Sequence, residues 1–164
     1  MNYDMTKGKR MGSSSKLAIN LIILEFFLLF IQFFIGMWMN LFAVYPQFGT
    51  YPFGIMQGMM QVMFSVPELP VHMMIGILIG LISLMIFFVM ATTGDRRFSL
   101  LSAGASLSIL TAGISGLEFM FSDFSNNVFS FFMSIGFIFT VVIYASILYL
   151  IPSGRSWSSG ASVR

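Results

Sequence analysis

An ionisable side chain inside a long apolar run is a functional candidate by default, because lipid cannot solvate its charge. Glu25 is such a residue. It stands within the apolar run 17–39, about 12 Å from the start of that run at the helical rise. Gln32, Gly36 and Asn40 follow it, and on a helix all four fall within an arc of roughly 80°. That stripe must face protein or water. Two chemistries suit it: proton relay through Glu25, Gln32 and Asn40, or a neutral Glu25 hydrogen-bonded to a neighbouring helix. Glu118, about 30 Å along the run 98–120, is a further buried-polar or relay candidate. With Glu68, His72 and Asp123 it is expected at one membrane surface. Such a set can hold a divalent metal, or simply mark where helices leave the bilayer.

His72 is the only histidine. A single imidazole excludes a bis-His haem within one chain and a His-rich zinc site; haem held by His and Met stays open. Met56, Met59, Met60 and Met63 are a second soft set. If 53–64 is helical, the four share an arc of about 100°. Thioethers select Cu(I), so this face suits copper capture, or equally an adaptable apolar contact. With no Cys there is neither a thiolate metal site nor a Cys nucleophile. No Gly-rich phosphate loop, H-E-x-x-H or Ser-His-Asp set is present, which argues against a membrane enzyme of a familiar hydrolytic kind.

The elements that carry these residues follow from composition. The chain has 164 residues, 57% of them hydrophobic and 9% charged. Soluble domains run near a quarter charged, so this chain cannot coat a globule with solvated surface. A net charge of +2 is too small to imply nucleic acid. Four apolar runs, 17–39, 71–91, 98–120 and 128–151, are each long enough to cross a hydrocarbon core of about 30 Å as a helix. The fold class expected is all-α: a polytopic membrane protein with four helices in an up-down-up-down bundle.

Lys7, Lys9, Arg10, Lys16, Arg96, Arg97, Arg155 and Arg164 are all the basic residues. All lie in the N-terminal segment, the turn between the second and third runs, or the C-terminal segment. The positive-inside rule then places both termini in the cytoplasm and the chain in the cell membrane. The first run lacks a small-x-small cleavage pattern and reads as an uncleaved span. Trp38, Tyr45 and Tyr51 suit the outer interface, and Tyr149 and Trp157 the inner one. Residues 1–16 and 152–164 read as polar tails, disordered at their Ser/Gly-rich stretches, with Pro152 stopping the last helix. The largely apolar segment 40–70, with Pro46, Pro52, Pro67 and Pro70, is too long for a passive connector. It is expected on the outer surface or as a cap on the bundle.

Helices in lipid meet at small residues and at polar groups. The second run carries Gly76-x-x-x-Gly80 and Ser83. The third is small on two sides: Ser102, Ala105, Ser106, Ala112, Gly113 and Gly116 on one, Gly104, Ser108, Thr111, Ser115 and Glu118 on the other. It is expected to be central or part of a tight oligomer. The fourth, Phe-rich with Ser130 and Ser134 as small positions, is expected to face lipid. Homo-oligomerisation, or docking on other membrane subunits, fits this profile.

Taken together, Gln32-Phe33-Phe34-Ile35-Gly36, a long loop, His72 before Gly76 and Gly80, and Ala112-Gly113-Ile114-Ser115-Gly116 resemble one four-helix half of the haem A synthase type of membrane protein. The resemblance covers roughly residues 30–150. It implies a haem ligand at His72, at the outer start of the second helix. The family's second His has no counterpart; Phe131-Phe132-Met133 stands there, with Met133 as a soft substitute. The resemblance therefore implies the fold and haem binding for electron transfer or haem handling, and not the synthase reaction. The residues themselves point first to a non-catalytic accessory or structural subunit, with haem binding second and proton or Cu(I) transport third.

Overall fold

The computed structural model describes residues 13–45 and 55–151. Five helices follow in order: α1 (Ser13–Phe42), α2 (Ile55–Ser65), α3 (Glu68–Ala91), α4 (Arg96–Phe121) and α5 (Asn127–Leu150). There is no strand among the described residues. All but α2 are long and apolar enough to cross a membrane. The chain is an all-α, four-helix bundle of multi-pass type. The expected disorder of the terminal segments, the stop at Pro152, the places of Tyr51 and Trp157, and Pro46 and Pro52 fall outside the described residues.

Each long helix but α5 outruns its apolar stretch, for local reasons. α3 begins at Glu68 rather than 71, because Pro70 sits in its first turn, where a missing N–H costs no intrahelical bond. Glu68 suits that positive helix end. The α3–α4 turn closes at Gly94, whose φ of 75° favours glycine. Asp95 then caps α4, accepting from the Arg97 backbone N–H at 2.9 Å. Asn126 caps α5 in the same way through Val128 N–H at 3.1 Å. Between α4 and α5, Asp123 and Phe124 adopt φ of 54° and 56°. Phe124 is held there by stacking on Tyr45, ring centroids 3.8 Å apart, and by an edge contact with Phe119.

The helices pack in the cyclic order α1–α3–α4–α5, with α1 and α5 making the slightest contact. Inward-facing positions on α1 recur at alternate spacings of four and three: Ala18, Ile22, Glu25, Leu29, Gln32, Gly36, Met39. Those on α3 do the same: Leu69, His72, Gly76, Ile79, Ser83, Ile86, Met90. Most of these side chains are buried, and Gln32, Gly36, His72 and Gly76 are half-buried. This is the seam of an antiparallel coiled coil. Gly36 meets His72, and Gly76 meets Gln32. The same register brings Met39 to Leu69 and Ile22 to Ile86, pairs that share core clusters. It sets Glu25 level with Ser83.

α4 is not central. It joins α3 through Ser106 and Met90–Ser99, and α5 through Gly104, Ala112 and Gly116. α5 does expose Phe131, Phe132, Ile138, Phe139 and Val142, as a lipid-facing helix would. Its contact with α4 is nevertheless the most extensive in the bundle. The close approach is made by Gly136 and not by Ser134, which is exposed. α2 caps one end: Val62 is fully buried with Met39, Leu69 and Met120, one from each of three long helices.

Candidate functional site

All the buried side-chain atoms without a hydrogen-bond partner, among the described residues, lie on α1 or α3. They are both carboxyl oxygens of Glu25, Oε1 of Gln32 and Nδ1 of His72. Native proteins leave few such groups, and each calls for an explanation.

Toward the end where α1 starts and α5 ends, three hydroxyls form a hydrogen-bonded chain. Tyr144 O–H donates to Ser83 Oγ at 2.8 Å. Ser83 Oγ lies 2.8 Å from Ser106 Oγ, and Ser106 donates to the Ser83 carbonyl at 3.2 Å. Every hydroxyl thus donates once, a directed chain in which each bond polarises the next. Tyr144 also meets the edge of Phe26, ring centroids 6.5 Å apart. Glu25, next to Phe26 on α1, is completely buried at this level. Neither of its oxygens finds a partner, so the expected bond from a neutral Glu25 to a neighbouring helix is not formed.

Two turns further along α1, Gln32 Nε2 lies 3.0 Å from His72 Nε2. Two glycines make room for this pair. A Cβ at position 36 would stand 3.1 Å from His72 Cε1, and one at position 76 would stand 3.2 Å from Gln32 Nε2. With the amide so placed, Gln32 N–H donates to Nε2 and the ring proton sits on Nδ1, directed away from Gln32. Turning the amide over reverses the pattern, so the pair accepts either tautomer.

The stripe of Glu25, Gln32 and Gly36 therefore turns to α3, while Asn40 is exposed at the helix end. Glu118 is exposed on α4. Glu68, Glu118, Asp123 and His72 do not gather: no group of three His, Cys, Asp or Glu suited to a metal occurs among the described residues. Glu68 instead lines a shallow cavity with Trp38, Phe42 and Val44. Burial, and then the nearby Glu68 carboxylate, push the Tyr45 phenol above its ordinary pKa. His72 and Met133 sit on different seams. His72 lies between α1 and α3, whereas Met133 Sδ packs over Gly116 between α4 and α5. One nitrogen of His72 is already engaged by Gln32. On α2, Met60 is exposed and Met63 half-buried; the side chains of Met56 and Met59 fall outside the described residues.

Tyr144, Ser83 and Ser106 are the site residues that sequence reasoning passed over as chemistry, the two serines having been read only as packing positions. A signal existed for Tyr144: a phenol well inside an apolar helix must find a hydrogen-bond partner. No family model, curated protein or solved structure matches this chain.

Proposed function

We propose that this protein is a non-catalytic accessory or structural membrane subunit, docked through its own helices on a second copy or on another membrane protein. The supporting observation is a pair of glycines that serve nothing inside the bundle. A side chain added at Gly80 or Gly113 would meet no atom within 4 Å. Gly80 lies on α3 and Gly113, which is exposed, on α4. Membrane helices approach one another most closely at such positions, so a glycine with nothing against it is a place for a partner's backbone. Gly76, Gly104, Gly116 and Gly136, by contrast, are all occupied by neighbours within the chain.

The test is the mass of the protein in mild detergent, against 18.3 kDa for one chain. The wild type is expected in a larger assembly, of itself or with a co-purifying membrane protein. Gly80→Leu and Gly113→Leu are expected to release single chains whose melting temperature is unchanged or raised, because no internal contact is lost and helix propensity improves. A wild type that runs as a lone chain, or variants that keep the assembly, would overturn the reading.

A further inference from the structure

We propose that the α1–α3 seam is a proton path, with Glu25 as its proton-binding group and the Gln32–His72 pair carrying a line of water onward to the α2 end. The inference goes beyond docking and does not depend on it.

The first argument is placement. The unpartnered buried atoms fall on one interface and one line: Glu25 Oε1 and Oε2, then Gln32 Oε1 and His72 Nδ1. Glu25 to Gln32 is seven residues, about 10 Å along the helix axis. Leu29 and Ile79, both buried, face each other in that interval, so a line of roughly three waters at about 2.8 Å per step forms only when those two side chains rotate apart. Buried polar atoms of this kind are the usual partners of internal water. The α4–α5 seam has none, although it too carries hydroxyls.

The second argument is charge. Glu25 is fully buried, between Ile22 and Leu29 in the α1 repeat. Among the described residues the cationic side chains are Lys16, Arg96 and Arg97, all exposed at the opposite end of the bundle from α2. The titratable group facing Glu25 from α5 is Tyr144, whose O–H is committed to Ser83. From α3 the residue level with it is Ser83. An ionised carboxylate would stand there without a counter-charge in an apolar interior, which strongly favours the neutral acid. The carboxyl therefore rests with its proton on and loses it only transiently. That is the behaviour of a proton relay rather than of a salt-bridge partner.

The step balances simply. The Glu25 carboxylic acid gives its proton to the first seam water. That water passes one of its own protons to the next, and the last water hands one on past the Gln32–His72 pair to solution at the α2 end. Glu25, left as a carboxylate, takes a proton from the other side. Gln32 can serve the line with the orientation of its amide, since either tautomer of His72 satisfies it.

The experiment uses the full chain in liposomes holding a pH-sensitive dye, with a potassium gradient and valinomycin to set the voltage. Wild-type vesicles are expected to change internal pH several-fold faster than protein-free ones, equally well when choline replaces sodium. Glu25→Gln is expected to fall to the protein-free rate. A membrane-soluble carbodiimide, which attacks protonated carboxyls in apolar surroundings, is expected to label Glu25 and abolish the flux. Should Glu25→Gln fail to fold, labelling of the wild type serves as the readout. Wild-type flux no faster than empty vesicles would overturn the proposal. So would full flux in folded Glu25→Gln, a strict sodium requirement, or undiminished flux after carbodiimide treatment.

Discussion

Two seams of this bundle use glycine for opposite ends. At the α4–α5 seam glycine removes a side chain so that backbone can close in. A Cβ at Gly136 would stand 2.6 Å from the Ser108 carbonyl oxygen and 2.9 Å from Ala112 Cβ. The hydroxyls nearby turn back on their own helices: Ser108 donates to the Gly104 carbonyl at 2.9 Å and Thr140 to the Gly136 carbonyl at 2.8 Å. At the α1–α3 seam, Gly36 and Gly76 instead make room for the polar side chains of His72 and Gln32. One seam is closely packed, and its buried polar side chains are satisfied. The other keeps polar atoms unsatisfied within it. A group that costs stability and is still present in a core position points to function.

Three substitutions break or sharpen that contrast. The largest effect is expected at Gly136→Ala. The added methyl meets backbone, which cannot rotate away, so overpacking should cost about 1–3 kcal/mol and lower the melting temperature by several degrees. An unchanged melting temperature would mean the α4–α5 seam is looser than its geometry. Next, Glu25→Leu should stabilise the bundle by about 1–2 kcal/mol, since it removes an unsatisfied carboxyl from between Ile22 and Leu29. It should also silence the proton flux. A fall in melting temperature would show instead that Glu25 holds the helices together. The smallest effect is expected at Tyr144→Phe, which removes one hydrogen bond to Ser83 while keeping the ring against Phe26, at about 1 kcal/mol. Thermal melts of the purified protein in one detergent measure all three.

Much of this was legible beforehand in particular residues. The four apolar runs declare the spans, because crossing a membrane depends on local length and composition. The stripe of Glu25, Gln32 and Gly36 is visible because helical spacing alone puts the three on one face. The small residues on two sides of α4 announce its contacts with two neighbours, but Thr111, Gly113 and Glu118 among them are exposed and the helix is not central. The repeats of three and four along α1 and α3 were equally present in the chain, with Ile22, Leu29, Ile79 and Ile86 in step with the polar positions. Gly136 was hidden among the bulky residues of a helix otherwise suited to lipid.

What composition and spacing determined, then, is which segments are helices and which face of α1 cannot tolerate lipid. These are properties of one segment at a time, set by hydrophobic length and by the 3.6-residue turn. Only the tertiary structure decided the partners. A one-turn slip of α1 against α3 would keep the same faces buried, yet separate Gln32 from His72 and move Glu25 off the level of Ser83. That register is chosen by shape. Gly36 admits the imidazole, Gly76 admits the amide, and Met39 reaches Leu69 beneath the α2 cap. Such fits are relations between distant segments, and no single segment contains them.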